Sequence, residues 1–266
     1  MSPRVCVAVF LMCLVTATAA NGQDAPGMPG SDLSAPPFAA GEAVDLELVL
    51  AVDISFSVDR FEAQTQRDGY IAAITHPSVL AAIRSGFLGR IAVTYVEWAD
   101  AYYQNQLVDW AVIEDEASAN AFAAQLAAGP LNRAYYTSIS HAIDFATVLF
   151  DTNGYAGLRQ VIDISGDGRH NQGRSLAAAR AEALSRGITI NGLPILNDRP
   201  QPIGTPTPME MKLDAYYQDN VIGGPGAFMV AAEDFEAFRE AILSKLIREI
   251  AAAPGPTRLA AGTAKD

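Results

Sequence analysis

Cysteine is almost absent from this 266-residue chain: Cys6 and Cys13 are the only two, and both fall in the first twenty positions. Once that segment is removed, no disulfide framework, thiolate metal site or cysteine nucleophile is possible. Lysine is nearly as scarce, with Lys212, Lys245 and Lys265 alone, and the net charge is −12. No basic stripe exists that could track a phosphate backbone, which argues against nucleic acid and anionic membrane surfaces as partners. The acidic balance keeps a protein soluble and makes divalent cations natural companions. The three histidines, His76, His141 and His170, are scattered, and no G-x-S-x-G elbow occurs, so a serine hydrolase is disfavoured. His141 reads as a helix-surface or capping residue and His170 as an exposed loop residue. No internal repeat is visible.

The cysteine-bearing start, "MSPRVCVAVFLMCLVTATAA", has one arginine, an apolar centre, and small residues at Ala17, Ala19 and Ala20. That layout predicts a cleavable signal peptide over residues 1–20 and an exported protein, periplasmic or secreted. The strongly apolar run from Val5 to Val15 is short for a bilayer anchor. Met12 before Cys13 argues against a lipoprotein signal. Residues 21–43 are rich in Pro, Gly, Ala and Ser and read as a flexible linker. Residues 251–266 read as a disordered tail for the same reason, which leaves a domain over 44–250, large enough to be held by its core alone.

Within that domain, strand and helix patterns alternate. "DLELVLAVD" is a continuous apolar run, expected for a central strand covered on both faces. "DRFEAQTQRDGYIAAIT" has a helical period, with Asp59 and Glu62 spaced as a capping box. "GRIAVTYVEW" and "QLVDWAVI" follow as strands close enough for a hairpin. Two helices, the strand "RQVIDIS", a helix ending at Gly187, the strand "ITINGLPIL", a short helical stretch near "MKLDAYYQD", a short strand "GAFMV" and a last helix complete the order. The alternation predicts an α/β fold: a doubly wound, mostly parallel central sheet with one antiparallel edge strand and helices on both faces. In such sheets the ligand site lies beyond the carboxyl ends of the strands, where the strand order reverses. That rule selects "DISFS" at 53–57 and "SGDGRHN" at 165–171.

A buried strand ending in a carboxylate needs a partner for it. Asp53, Ser55 and Ser57 alternate, so their oxygens can converge on one point. A carboxylate and two hydroxyls are hard donors, suited to Mg²⁺, Mn²⁺ or Ca²⁺ rather than to zinc without nitrogen or sulfur. The topology would bring Thr137, opening a helix in "TSIS", and Asp167, in "GDG", to the same place. Taken alone, "DISFS" fits helix capping by Ser57 or Asp59, with Asp53 accepting backbone N–H bonds. With Thr137 and Asp167 added, the metal reading is favoured. Asp163 reads as a structural hydrogen-bonding residue. Glu97 reads as an outer group of the site or as an ordinary surface carboxylate. The tyrosine pairs 102–103, 135–136 and 216–217 read as packing, with Tyr135 and Tyr136 set apart because they precede Thr137.

These three pieces, in this order, resemble the metal-ion-dependent adhesion site of von Willebrand factor A domains. "VEWAD", "ISGDGRHNQG" and "GGPGAFMVA" further resemble a bacterial branch of exported A-domain proteins of unknown function (DUF1194-like). The resemblance spans roughly 44–250. It implies a metal held by Asp53, Ser55, Ser57, Thr137 and Asp167, some of them through water. It also implies a protein partner that presents an acidic residue to that metal, and no catalysis. Asp53 and Asp167 just neutralise a divalent ion, and no residue is placed as a general base. Phe56, Gly166 and Tyr136 depart from the residues usual at their positions, which bears on the neighbouring surface more than on the ligands. The enzymatic alternative is a Mg²⁺-dependent phosphatase resembling the haloacid dehalogenases, since "GDGRHN" is close to that family's later motif. Against it, Ser55 stands where a second Asp is needed, and no Lys precedes Lys212; Arg133 or Arg159 would have to substitute.

Overall fold

The computed structural model describes residues 41–196 and 212–251. The expected signal peptide, most of the linker, and all but the first residue of the tail lie outside them. Five strands form the central sheet: β2 (Leu46–Asp53), β3 (Ile91–Trp98), β4 (Gln104–Ile113), β6 (Gln160–Gly166) and β7 (Thr189–Pro194), in the order β4-β3-β2-β6-β7. All neighbours are parallel except β3 and β4, so the antiparallel strand is at the edge, as the hairpin spacing requires. β2 is the central strand, and each of its eight residues is buried.

Alternation along β2 divides its side chains between two cores. Leu46, Leu48, Leu50 and Val52 pack with residues of α1 (Arg60–Ile74), α2 (Pro77–Arg84), α3 (Glu116–Ala128) and α7 (Phe238–Ala251). Val49 and Ala51 pack on the other face with α4 (Ile139–Leu149), α5 (Leu176–Ser185) and α6 (Leu213–Asn220). The same parity carries Asp53 toward the α4–α6 face. It carries Asp163 toward α7, where the buried Lys245 ammonium lies 2.5 Å from both Asp163 and Glu249. Asp163 is therefore structural, and its partner is an ion on the last helix.

The expected capping box is present: Asp59 accepts from the N–H groups of Phe61 and Glu62, and Glu62 accepts from the N–H of Asp59. Three elements escape the sequence pattern. Helix α2 is entered through His76, whose Nδ1 accepts from the N–H of Ser78, with Pro77 as its first residue. A small parallel pair joins β1 (Glu42–Val44) to β5 (Tyr155–Gly157). The first described strand thus includes two residues, Glu42 and Ala43, assigned by composition to the linker. The segment expected as the strand "GAFMV" makes only an isolated bridge, Met229 to Gly192, and a second one, Ala232 to Ile195, lies just beyond it.

Candidate metal centre

β2 has β3 on one side and β6 on the other, so the chain reverses direction across the sheet at the carboxyl end of β2. Asp53 is the last residue of β2, and Asp167 follows the last residue of β6. Both carboxylates are buried, at 0% and 1% exposure. Between them runs a line of hydroxyls. Ser55 Oγ lies 3.0 Å from Ser57 Oγ, and the Ser57 hydroxyl donates to Asp167 Oδ1 at 2.6 Å. Ser57 is thus not the helix cap; that role belongs to Asp59.

Thr137 arrives on a separate loop. A Cβ built on Gly168 would stand 3.2 Å from Thr137 Oγ1, so the hydroxyl adjoins the residue after Asp167. Asn171 fixes the approach by a two-way exchange: its Oδ1 accepts from the Thr137 N–H at 2.8 Å, and its N–H donates to the Thr137 carbonyl at 2.9 Å. The Ser138 N–H donates to the Ala99 carbonyl beyond β3. The Ser138 hydroxyl lies 2.8 Å from Nδ1 of His141, so that histidine closes the first turn of α4. His170 is half-buried, with Nε2 3.0 Å from the Arg174 carbonyl. Upstream, the 129–132 segment is tied down by a buried ion pair. Arg67 reaches Glu97 at 2.5 Å and donates to the carbonyls of Gly129 and Pro130, while Asn132 donates to the other Glu97 oxygen. Burial pushes the Glu97 carboxyl up, against the pull of Asn132 and Arg67. Glu97 is therefore no surface carboxylate; it anchors the loop that delivers Thr137.

The partners of Asp53 account for only half of its carboxylate. Oδ1 accepts from the Ser55 N–H at 2.6 Å, whereas Oδ2 finds no hydrogen-bond partner among the described residues. Burial first, and then the facing Asp167, push Asp53 well above the usual carboxylate range; the N–H and hydroxyl of Ser55 pull the other way. An unsatisfied buried acceptor costs about 1–3 kcal/mol, and more when charged, while one hydrogen bond returns about 1 kcal/mol. Capping and backbone bonding therefore do not settle this carboxylate. Two facing acids with hydroxyls between them are a set of hard oxygen donors with a charge deficit that one divalent cation would cancel. Among the described residues no group of three or more His, Cys, Asp and Glu is clustered; the candidate site instead sets two carboxylates beside serine and threonine hydroxyls.

One group at this site carried no signal in the sequence beyond packing. Tyr217, on α6, is fully buried, and its hydroxyl has no partner among the described residues. A Cβ on Gly166 would be 2.9 Å from that hydroxyl and 2.9 Å from Asp53 Oδ2. Burial, then Asp53 and Asp167, push the phenol well up. Around the outside, Phe56 is 57% exposed and stacks on Tyr135, centroids 5.1 Å apart, while Arg133 lies over its ring and donates to its carbonyl. Tyr136, also exposed, has a φ of 62°. Arg159 immediately precedes β6, at the far end of the strand from Asp167, and donates to the Glu249 carbonyl. Neither it nor the buried Lys245 is placed to hold a phosphate here.

A sequence profile of the family described as "Protein of unknown function (DUF1194)" matches residues 43–254. No curated protein matches. Among solved structures, proximal thread matrix protein 1 from the mussel byssus superposes with a TM-score of 0.56 at 11% identity, covering 82% of this chain and 48% of that one. A structure of the same mussel protein described as having a "zinc occupied MIDAS motif" gives 0.50 at 14% identity, covering 80% and 45%. A von Willebrand factor type A protein from Catenulispora acidiphila gives 0.50 at 11% identity, covering 79% and 42%. The chain spans less than half the length of these proteins, and at such identities the likeness is one of fold.

Proposed function

Because the chain belongs to the DUF1194 family of proteins of unknown function and has the fold of a von Willebrand factor A domain, we propose that it is an exported recognition domain that binds a protein partner through a divalent cation. Asp53, Ser55, Ser57, Thr137 and Asp167 would hold the ion, Mg²⁺ or else Mn²⁺ or Ca²⁺. The observation that carries this reading is the buried Asp53 with its unpartnered Oδ2, facing a second buried acid across two hydroxyls. When bound, the cation supplies an electrophilic site for a carboxylate oxygen of the partner. An acidic protein can then recognise an acidic group despite its own charge. Phe56, Tyr135, Tyr136 and Arg133 form the rim on which the partner's neighbouring side chains would rest. The zinc reported in the mussel protein makes Zn²⁺ one of the ions to titrate.

No residue at the site is placed as a general base, and we assign the domain no catalytic activity. Among the described residues no helix is long and apolar enough to cross a membrane. Export is part of the proposal and rests on the character of residues 1–20. The test is calorimetric titration of Mg²⁺, Mn²⁺, Ca²⁺ and Zn²⁺ into chelator-stripped protein and its Asp53→Ala variant. Saturable binding that disappears in the variant, with an unchanged circular dichroism spectrum, is expected; equal affinity in the two would remove the site. A generic phosphate ester in Mg²⁺ should not turn over. Turnover lost in the same variant would return the phosphatase reading.

A further inference from the structure

Position 166 is one of the three places where the resemblance fails, since a glycine stands where a hydroxyl-bearing residue is usual. The structure gives that glycine a spatial reason. The point its missing Cβ would occupy is 2.9 Å from Asp53 Oδ2, 2.9 Å from Tyr217 Oη and 3.1 Å from Asp53 Cβ. A methyl group there would crowd the carboxylate and the phenol at once. Both oxygens are buried, and both lack a hydrogen-bond partner among the described residues. Two orphaned polar groups flanking one glycine are hard to explain as packing, because either alone costs about 1–3 kcal/mol. An apolar side chain in place of Tyr217 would fill the same space without that cost.

We propose that Tyr217 is a positioning residue of the metal site: reaching from α6 over Gly166, its hydroxyl donates to Asp53 Oδ2 in the cation-loaded protein and fixes the orientation of that carboxylate. The chemistry is complementary. Asp53 Oδ1 is already held by the Ser55 N–H, and a phenol offers one donor to the oxygen that remains. Carboxylates that ligate metals are themselves usually hydrogen-bonded by outer partners, and loss of such a partner typically weakens metal binding about 10–100-fold. Gly166 and Tyr217 then form a pair: the absent side chain at one position admits the hydroxyl of the other. The arrangement also links α6 to the candidate cation site.

This inference rests on the metal reading above, and one set of measurements separates the two. Mg²⁺ and Mn²⁺ are titrated calorimetrically into the wild type and Tyr217→Phe, and the melting temperature of each is recorded in chelator. The variant should bind at least about tenfold more weakly. Its metal-free melting temperature should be equal or higher, because an unsatisfied buried hydroxyl has been removed. A tyrosine that only packs would not give these opposite signs. Equal affinity in variant and wild type overturns the inference while leaving the metal site intact, as does weaker binding together with a lower metal-free melting temperature. A wild type that binds no divalent ion refutes the metal reading itself. As a second check, Gly166→Ala should weaken binding, and in Gly166→Ala/Tyr217→Phe the two losses should fall short of their sum, since both act on one oxygen. Strict additivity would contradict the pairing.

Discussion

At the scale of single residues, Tyr136 shows how a surface feature can be bought with backbone strain. Its φ of 62° lies in the left-handed region, which costs a non-glycine residue about 1–3 kcal/mol. It sits immediately before Thr137, and the residue is 58% exposed, so burial returns little of that cost. Tyr136→Gly should therefore leave thermal stability unchanged or raise it by up to about 1 kcal/mol, with metal affinity retained, which denaturant unfolding and calorimetry would show. A clear loss of stability would mean that the ring packs in a way its exposure does not reveal. The departure from glycine at this position is visible in the sequence; the positive φ is not, because it depends on how the loop is pinned by Asn171 and Ala99. The same contrast holds at Asp53. Alternation in "DISFS" points the right side chains to one place, but only the fold leaves Oδ2 without a partner.

At the scale of elements, the candidate site is built by loops leaving the carboxyl ends of β2 and β6, and its precision depends on what holds those loops. The 129–132 segment is the case in point. Arg67 on α1 and Glu97 on β3, 3% and 2% exposed, bind it through two carbonyls and Asn132. Removing one partner of a buried ion pair typically costs about 3–5 kcal/mol, because the other charge is left uncompensated. Arg67→Ala should lower stability by that order in denaturant unfolding and weaken divalent binding through displacement of Thr137, though it touches none of the proposed ligands. The strands and most helices were legible because apolar period and capping residues mark them locally. Helix α2 and the β1–β5 pair were not: α2 has eight residues, and the two short strands are defined by pairing with each other rather than by any pattern of their own. The Arg67–Glu97 tie was also illegible, since neither residue's sequence neighbourhood names the other.

At the scale of the whole molecule, a second buried charge network joins the sheet to the last helix. Lys245 serves both Asp163 and Glu249, and the Asn191 amide donates to Glu249. Burial, then the Glu249 carboxylate, push Asp163 up to about 7 despite Lys245. A carboxyl whose folded pKa is raised stabilises the fold in its protonated form. This contribution is complete below about pH 4, the unfolded value, and is lost as the pH climbs toward 7. With Mg²⁺ saturating, so that Asp53 stays ionised, melting temperature should fall between pH 4 and 7, and Asp163→Asn should flatten that slope. An unchanged slope in the variant would place the titration elsewhere. The sequence marked Asp163 as structural but could not pair it with a lysine on the C-terminal helix.

At every scale the proposed function depends on one divalent cation held among Asp53, Ser55, Ser57, Thr137 and Asp167. Anomalous diffraction from crystals of the protein grown with Mn²⁺ tests this most directly. One anomalous peak enclosed by those oxygens is the expected result. Its contradiction would be a Mn²⁺ peak bound elsewhere on the chain, or no peak at this site at saturating Mn²⁺.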